Sequence, residues 1–152
     1  MGIVVVGPDD GEKLGVGTIR WRIIEDGSHT GHRIGLVEVV VPPGPAIPPE
    51  HVHGSHDEIF IVTRGKMRFT SGDQNIDTGV GTCVTIPPGT AHTFSNPFDE
   101  PATCITALTP DLYVEYFRDL SGLPLDENGR LNPADIARTM TRYDTQIVAP
   151  RS

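Results

Sequence analysis

A chain of 152 residues is long enough for one domain with a real core and too short for two comfortable ones, so residues 1–152 are expected to form a single domain. Its 17 glycines and 14 prolines together exceed one residue in five, a composition that favours many turns and short strands over long helices. A net charge of -8 with no basic cluster repels phosphate backbones and anionic lipid, which sets aside nucleic acid and membrane surfaces as partners.

The opening MGIVVVGPDDG has a short apolar run and no basic n-region, and no later stretch approaches the length of a membrane span; a soluble, cytoplasmic protein is expected. From residue 16 short β-type runs recur: VGTIRWRIIE, HRIGLVEVVV, EIFIV, KMRFTS, TCVTIP, AHTFSN and ATCITAL. Gly, Pro, Asn or Asp bounds each of them, in EDGSHTG, PPGPAIPP, TRGK, SGDQNIDTG, PPGT and NPFDEP. Strands at this spacing predict a sandwich or barrel over residues of about 15–108.

Residues of about 109–144 change character. In TPDLYVEYFRDLSG, Thr109 is the expected N-cap and Pro110 the first helical residue, with Leu112, Tyr116, Phe117 and Leu120 on one face before Gly122. NPADIARTMTRY repeats the recipe with Asn132 as cap, Pro133 after it, and Ile136, Met140 and Tyr143 as the apolar stripe. Both stripes are expected to pack as core against the barrel wall. Cys83 and Cys104 belong to no CxxC pair, and both are expected to be free buried thiols.

The chemistry concentrates in HVHGSHDEIF, residues 51–60. His51 and His53 are spaced i, i+2 in a strand, so both imidazoles leave the same face, as two ligands of one metal would. Glu58 lies five residues beyond His53, on the wrong face for an unbroken strand. A turn or bulge at Gly54 and Ser55 would reset the parity and let Glu58 share an inward face with Phe60 and Val62. A further imidazole comes from GTCVTIPPGTAHTFSN, where the PPG turn leads into a strand with His92, Phe94 and Asn96 on one face. A rival triad of His53, His56 and Glu58 is open on parity, but His56 falls in the required turn and is expected in the loop or at the rim. Asp57 should point away from Glu58. His29 and His32 lie in the loop EDGSHTGH and are assigned no function. Phe60 and Phe94 are candidate substrate-binding residues, with ordinary core as the competing reading.

Three imidazoles and a carboxylate suit one divalent first-row transition metal per chain, Fe, Mn, Ni, Co, Cu or Zn, with positions left for water, dioxygen or substrate oxygens. Gly44, HVH at 51–53, Glu58 and Gly65 resemble the first cupin motif, and Gly81, Pro87, Gly89, His92 and Asn96 the second. One departure is GPAIPPEH, which places one residue more between Gly44 and His51 than the family commonly has. YFRDL and TRY are similar to the helical tail of small cupins related to quercetin dioxygenase. The resemblance implies an all-β antiparallel jelly-roll (cupin) barrel followed by two short C-terminal helices, often dimeric, with the metal held by His51, His53, Glu58 and His92. The activity expected from it is a dioxygenase acting on an enol, phenol or 1,3-dicarbonyl, with Glu58 as ligand or proton acceptor. The rivals are a non-oxidative cyclase, isomerase or decarboxylase, and a non-catalytic ligand-binding barrel.

Overall fold

The computed structural model describes residues 2–45 and 48–149, apart from the Leu112 side chain. The extra length in GPAIPPEH thus falls partly outside the described residues, at positions 46 and 47.

A strand that was not read from the sequence precedes the first expected one. β1 (Glu12–Val16) and β2 (Ile19–Glu25) pair antiparallel across a tight turn at Gly17, whose φ of 58° is the left-handed conformation glycine adopts freely. β3 (Gly35–Val41), β4 (His51–His53), β5 (Asp57–Arg64) and β6 (Lys66–Ser71) follow. β7 (Gln74–Gly79) lies inside SGDQNIDTG, read from sequence as a boundary. Four of its six residues are exposed and polar or Ile76, yet its backbone pairs with β6 throughout, so an edge strand was hidden by its polarity. β8 (Cys83–Ile86), β9 (Thr93–Ser95) and β10 (Ala102–Thr109) complete the main body.

Two layers enclose the core. One is a six-stranded antiparallel sheet in the order β1-β2-β3-β10-β5-β8. Its central strands alternate strictly: Val37, Val39 and Val41 on β3, Cys104, Thr106 and Leu108 on β10, and Glu58, Phe60 and Val62 on β5 all point inward and are buried. The facing layer contains the three-stranded sheet β7-β6-β9 and β4, which is tied to the segment before β9 by reciprocal backbone bonds between His51 and His92 of 3.0 and 2.9 Å. Phe60 meets Phe69 and Phe94 between the layers at centroid separations of 5.0 and 5.8 Å. The architecture is the expected jelly roll with two short helices.

The C-terminal segment departs from expectation in detail. Thr109 ends β10 by pairing with Asp57, so it is not a cap; a 3₁₀ turn over Asp111–Tyr113 intervenes before α1 (Val114–Ser121), which starts without a side-chain cap. Tyr116, Phe117 and Leu120 are buried as expected, Phe117 against Trp21 at 5.3 Å; Leu112 lies outside the described side chains. α2 (Pro133–Thr141) begins as read, with the Asn132 side chain accepting from the Ala134 amide at 2.9 Å. An unexpected strand, β11 (Thr145–Ile147), then pairs antiparallel with β4. Three residues carry too little periodicity to be read as a strand.

Both cysteines are free; Cys104 is buried, but Cys83 is exposed because it starts β8, the outermost strand of its sheet. Among the described residues no helix is long and apolar enough to cross a membrane.

Gly65 turns β5 into β6 with φ 68°, and a Cβ there would stand 2.6 Å from the Pro101 carbonyl oxygen. Gly81 has φ 87° and nothing within 4 Å of the same position. Gly65→Ala is therefore expected to cost about 2–5 kcal/mol in chemical denaturation, and Gly81→Ala only the backbone strain of about 1–3 kcal/mol.

Candidate metal centre

Short local devices bring distant residues to one point. The extended backbone of β4 puts His51 and His53 on the same buried face. Gly54, Ser55 and His56 then break the strand, and Glu58 enters β5 on its inward side, so the register is reset as the parity of the sequence required. Asp57 opens β5 and faces the other way, half-buried. The turn at Pro87–Thr90, with Gly89 at φ 83°, docks its Gly89 amide on the His53 carbonyl at 2.8 Å and delivers His92 opposite His51. One donor atom from each of His51, His53, Glu58 and His92 lies within 4.8 Å of every other.

Hydrogen bonds fix which nitrogen faces the centre. His51 Nδ1 lies 2.8 Å from the Pro49 carbonyl and His92 Nδ1 3.0 Å from the Thr90 carbonyl. A carbonyl only accepts, so each of these Nδ1 atoms carries a proton and each Nε2 is turned to the centre, where it becomes a metal ligand once unprotonated. His51 Nε2 and His53 Nε2 stand 3.2 Å apart; His53 Nε2 and His92 Nε2 stand 3.2 and 3.1 Å from Glu58 Oε2. Nitrogens and a carboxylate oxygen this close need a proton or a cation between them, and a cation can draw on all four donors at once. The donor set fits a divalent first-row ion.

The electrostatics agree with a cation site. Burial pushes the Glu58 carboxyl up, but the imidazoles of His53, His56 and His92 outweigh it and hold it well below the usual carboxylate range. Burial, then the charge of His92, pulls His51 down to about 3, and burial also lowers His53. His92 loses affinity for a proton through burial and regains more from the Glu58 hydrogen bond and charge, ending raised. A proton that His92 holds against Glu58 is one that an arriving ion would displace.

His56 is not a rim residue. It is buried, its ring 4.1 Å from that of His53 and stacked on Tyr113 at 4.5 Å, while Nε2 lacks a hydrogen-bond partner and lies 3.9 Å from Glu58 Oε1. The turn that resets the register folds inward. His29 and His32 are exposed and paired with Glu25 and Asp111 at 3.1 and 2.9 Å. Glu25, Asp26 and His29 also converge, but Glu25 Oε1 accepts from the Gly27 and His29 amides and Asp26 pairs with Arg118, so that group is loop structure.

A cavity of about 470 Å³ adjoins the centre, with His51, Glu58, Phe60 and Phe94 in its wall. Both phenylalanines singled out from sequence thus reach it. Sequence reasoning missed Trp21, Tyr113, Tyr116, Phe117 and Leu120, which also line it. Their apolar character was visible, but as generic core, because strand and helix periodicity report a buried face without saying whether it meets protein or a void.

Residues 37–108 match the family model described as a cupin domain. Among solved structures the chain is similar to a Cupin 2 conserved barrel domain protein from Salinispora arenicola, with 21% identity, a TM-score of 0.56, and 93% of this chain and 98% of that one covered. The polyketide cyclase RemF from Streptomyces resistomycificus is similar at 21% identity and a TM-score of 0.62, over 71% of this chain and 80% of that one. A sugar phosphate isomerase from Silicibacter pomeroyi is similar at 22% identity and a TM-score of 0.61, over 70% and 75%. No curated protein sequence matches the chain.

Elemental analysis of protein purified without chelators should find close to one first-row metal per wild-type chain and much less in His92→Ala; equal, negligible contents would refute the assignment. Because His92 keeps its proton to higher pH than an ordinary imidazole, affinity for added zinc should weaken as pH falls from about 8 to 5, where proton and metal compete for Nε2.

Proposed function

The chain belongs to the cupin superfamily, and from that premise we propose that it is a metal-dependent enzyme acting on an apolar, enolisable small molecule such as a phenol, enol or 1,3-dicarbonyl. The observation that carries this reading is the cavity wall. Apart from the end bearing His51 and Glu58, the polar lining is confined to Thr106 and the phenols of Tyr113 and Tyr116, and no lysine or arginine lines it among the described residues. Away from the metal end, an anionic group of a phosphorylated sugar or a dicarboxylate would lose its hydration with no cationic side chain to meet it, at a cost of several kcal/mol per ion. A planar apolar molecule exchanges water for Trp21, Phe60, Phe94 and Phe117 and gains by it.

His51, His53, Glu58 and His92 would hold the metal. A divalent ion in this set would supply Lewis acidity toward a substrate oxygen and, if redox-active, a route for the substrate's electrons to dioxygen. Glu58 is held ionised at neutral pH and borders the cavity, so it is placed to take the proton of an enolisable C–H or O–H. The aromatic walls exclude water and orient the ring plane. These features support oxygenation of the resulting enolate, the reaction we favour. Non-oxidative cyclisation is the second reading, favoured by the same apolar cavity and by the likeness in fold to a polyketide cyclase.

A panel of phenols and 1,3-dicarbonyls offered to the metal-loaded protein in an oxygen electrode separates the two. Oxygen uptake matching substrate loss is expected; turnover of a panel member under argon would replace oxygenation by cyclisation. Per bound metal, Glu58→Gln should lower kcat by about 10²–10⁴-fold. Phe60→Ala and Phe94→Ala should raise KM by about tenfold with a smaller effect on kcat.

A further inference from the structure

The three histidines of the centre are oriented by different means. Pro49 and Thr90, which orient His51 and His92, lie two residues before them in the same segment. His53 instead depends on a residue 92 positions away: its Nδ1 stands 2.7 Å from the Thr145 hydroxyl. Thr145 is wholly buried on β11, directly across from His53 in the register. Its hydroxyl also donates to the Tyr143 carbonyl at 3.1 Å. The carbonyl takes the single hydroxyl proton, so the Thr145 oxygen is left as acceptor for His53 Nδ1–H, and Nε2 becomes the bare nitrogen that faces Glu58.

The strand carrying Thr145 is fastened to both ends of the ligand strand. The Gly54 amide donates to the Asp144 carbonyl and the Val148 amide to the Glu50 carbonyl, each at 2.8 Å, and the Ser55 hydroxyl donates to the Asp144 carboxylate at 2.5 Å. Asp144 holds φ 49°, a conformation that only a well-determined surrounding maintains in a non-glycine residue.

We propose that Thr145 is a positioning residue of the metal centre, so that docking of the C-terminal strand sets how tightly the ion is held. Without its acceptor the His53 ring is free to take the other tautomer, which presents an N–H to the ion, or to rotate away. Loss of such an outer partner weakens metal binding by about ten- to hundredfold. The inference deepens the metal-centre assignment and rests on it.

The test uses the full-length protein stripped of metal and titrated with zinc against a chromophoric chelator, as wild type, Thr145→Ser and Thr145→Val. Thr145→Val should bind zinc about ten- to hundredfold more weakly, and Thr145→Ser within about threefold of wild type. Ring ¹⁵N shifts of His53 in the ion-free proteins should move toward the Nε2-protonated form in Thr145→Val alone. If Thr145→Val does not fold, Thr145→Ala against Thr145→Ser makes the same comparison. Unchanged affinity in the variant lacking the hydroxyl, or equal losses in it and Thr145→Ser, would overturn the inference, the second by assigning the effect to packing. A wild type that takes up no zinc would instead bring down the metal-centre reading beneath it.

Discussion

A carboxylate as deeply buried as that of Glu58 gives up several kcal/mol of hydration, and nothing apolar in its surroundings returns it. What returns it is the ring of imidazoles around it. Two of the centre's histidines place Nε2 about one hydrogen-bond length from a single oxygen of this group, and backbone carbonyls or a hydroxyl hold the far side of every ring. The rest of the structure reads as what is needed to bring these four side chains together: a strand of three residues for the first pair, an inward-folding turn, one long strand for the acid, and a proline-rich turn that delivers the last imidazole.

The region matching the cupin domain, residues 37–108, contains all four donors and the two phenylalanines beside them. Much of the remaining cavity lining comes from outside it, from Trp21 on β2 and from Tyr113, Tyr116, Phe117 and Leu120 around α1. The same tail continues through α2 into β11 and the hydroxyl that orients His53. One stretch of chain thus shapes the space offered to a substrate and supports a ligand of the metal, which links the two in the folded protein.

How much of this was legible depended on whether the signal was local. Period-two alternation read β3, β5, β6 and β10 directly, and the five-residue interval from His53 to Glu58 required the turn that the structure contains. The cap and proline before α2 read correctly because Asn132 and Ala134 are close in sequence. Signals failed where the third dimension decides. QNIDTG looks like a loop until β6 offers its backbone a partner; Thr109 looks like a cap until β5 claims it as the end of a strand. His56 lies in the turn as read, but it is buried and not at the rim, because position in a turn says nothing about the direction in which the turn folds. Thr145 carried no signal, since a lone threonine acquires its role only from the imidazole across from it.

The burial of His56 changes the picture of the centre's outer face. Its ring lies between those of His53 and Tyr113, and Tyr113 in turn stacks on Tyr116 at 4.4 Å, so an aromatic column runs from the metal ligands to the cavity wall. Planar rings in contact on both sides cannot tilt independently, because each lateral shift opens a gap on one side and an overlap on the other. Burial also pushes the Tyr113 and Tyr116 phenols well above their ordinary range, so both stay uncharged at neutral pH. A neutral, close-packed wall keeps the local dielectric low, and there the charge of Glu58 and of any ion it binds acts at greater strength than in water. The apolar packing beside the site and the force of its few charges are thus consequences of the same arrangement.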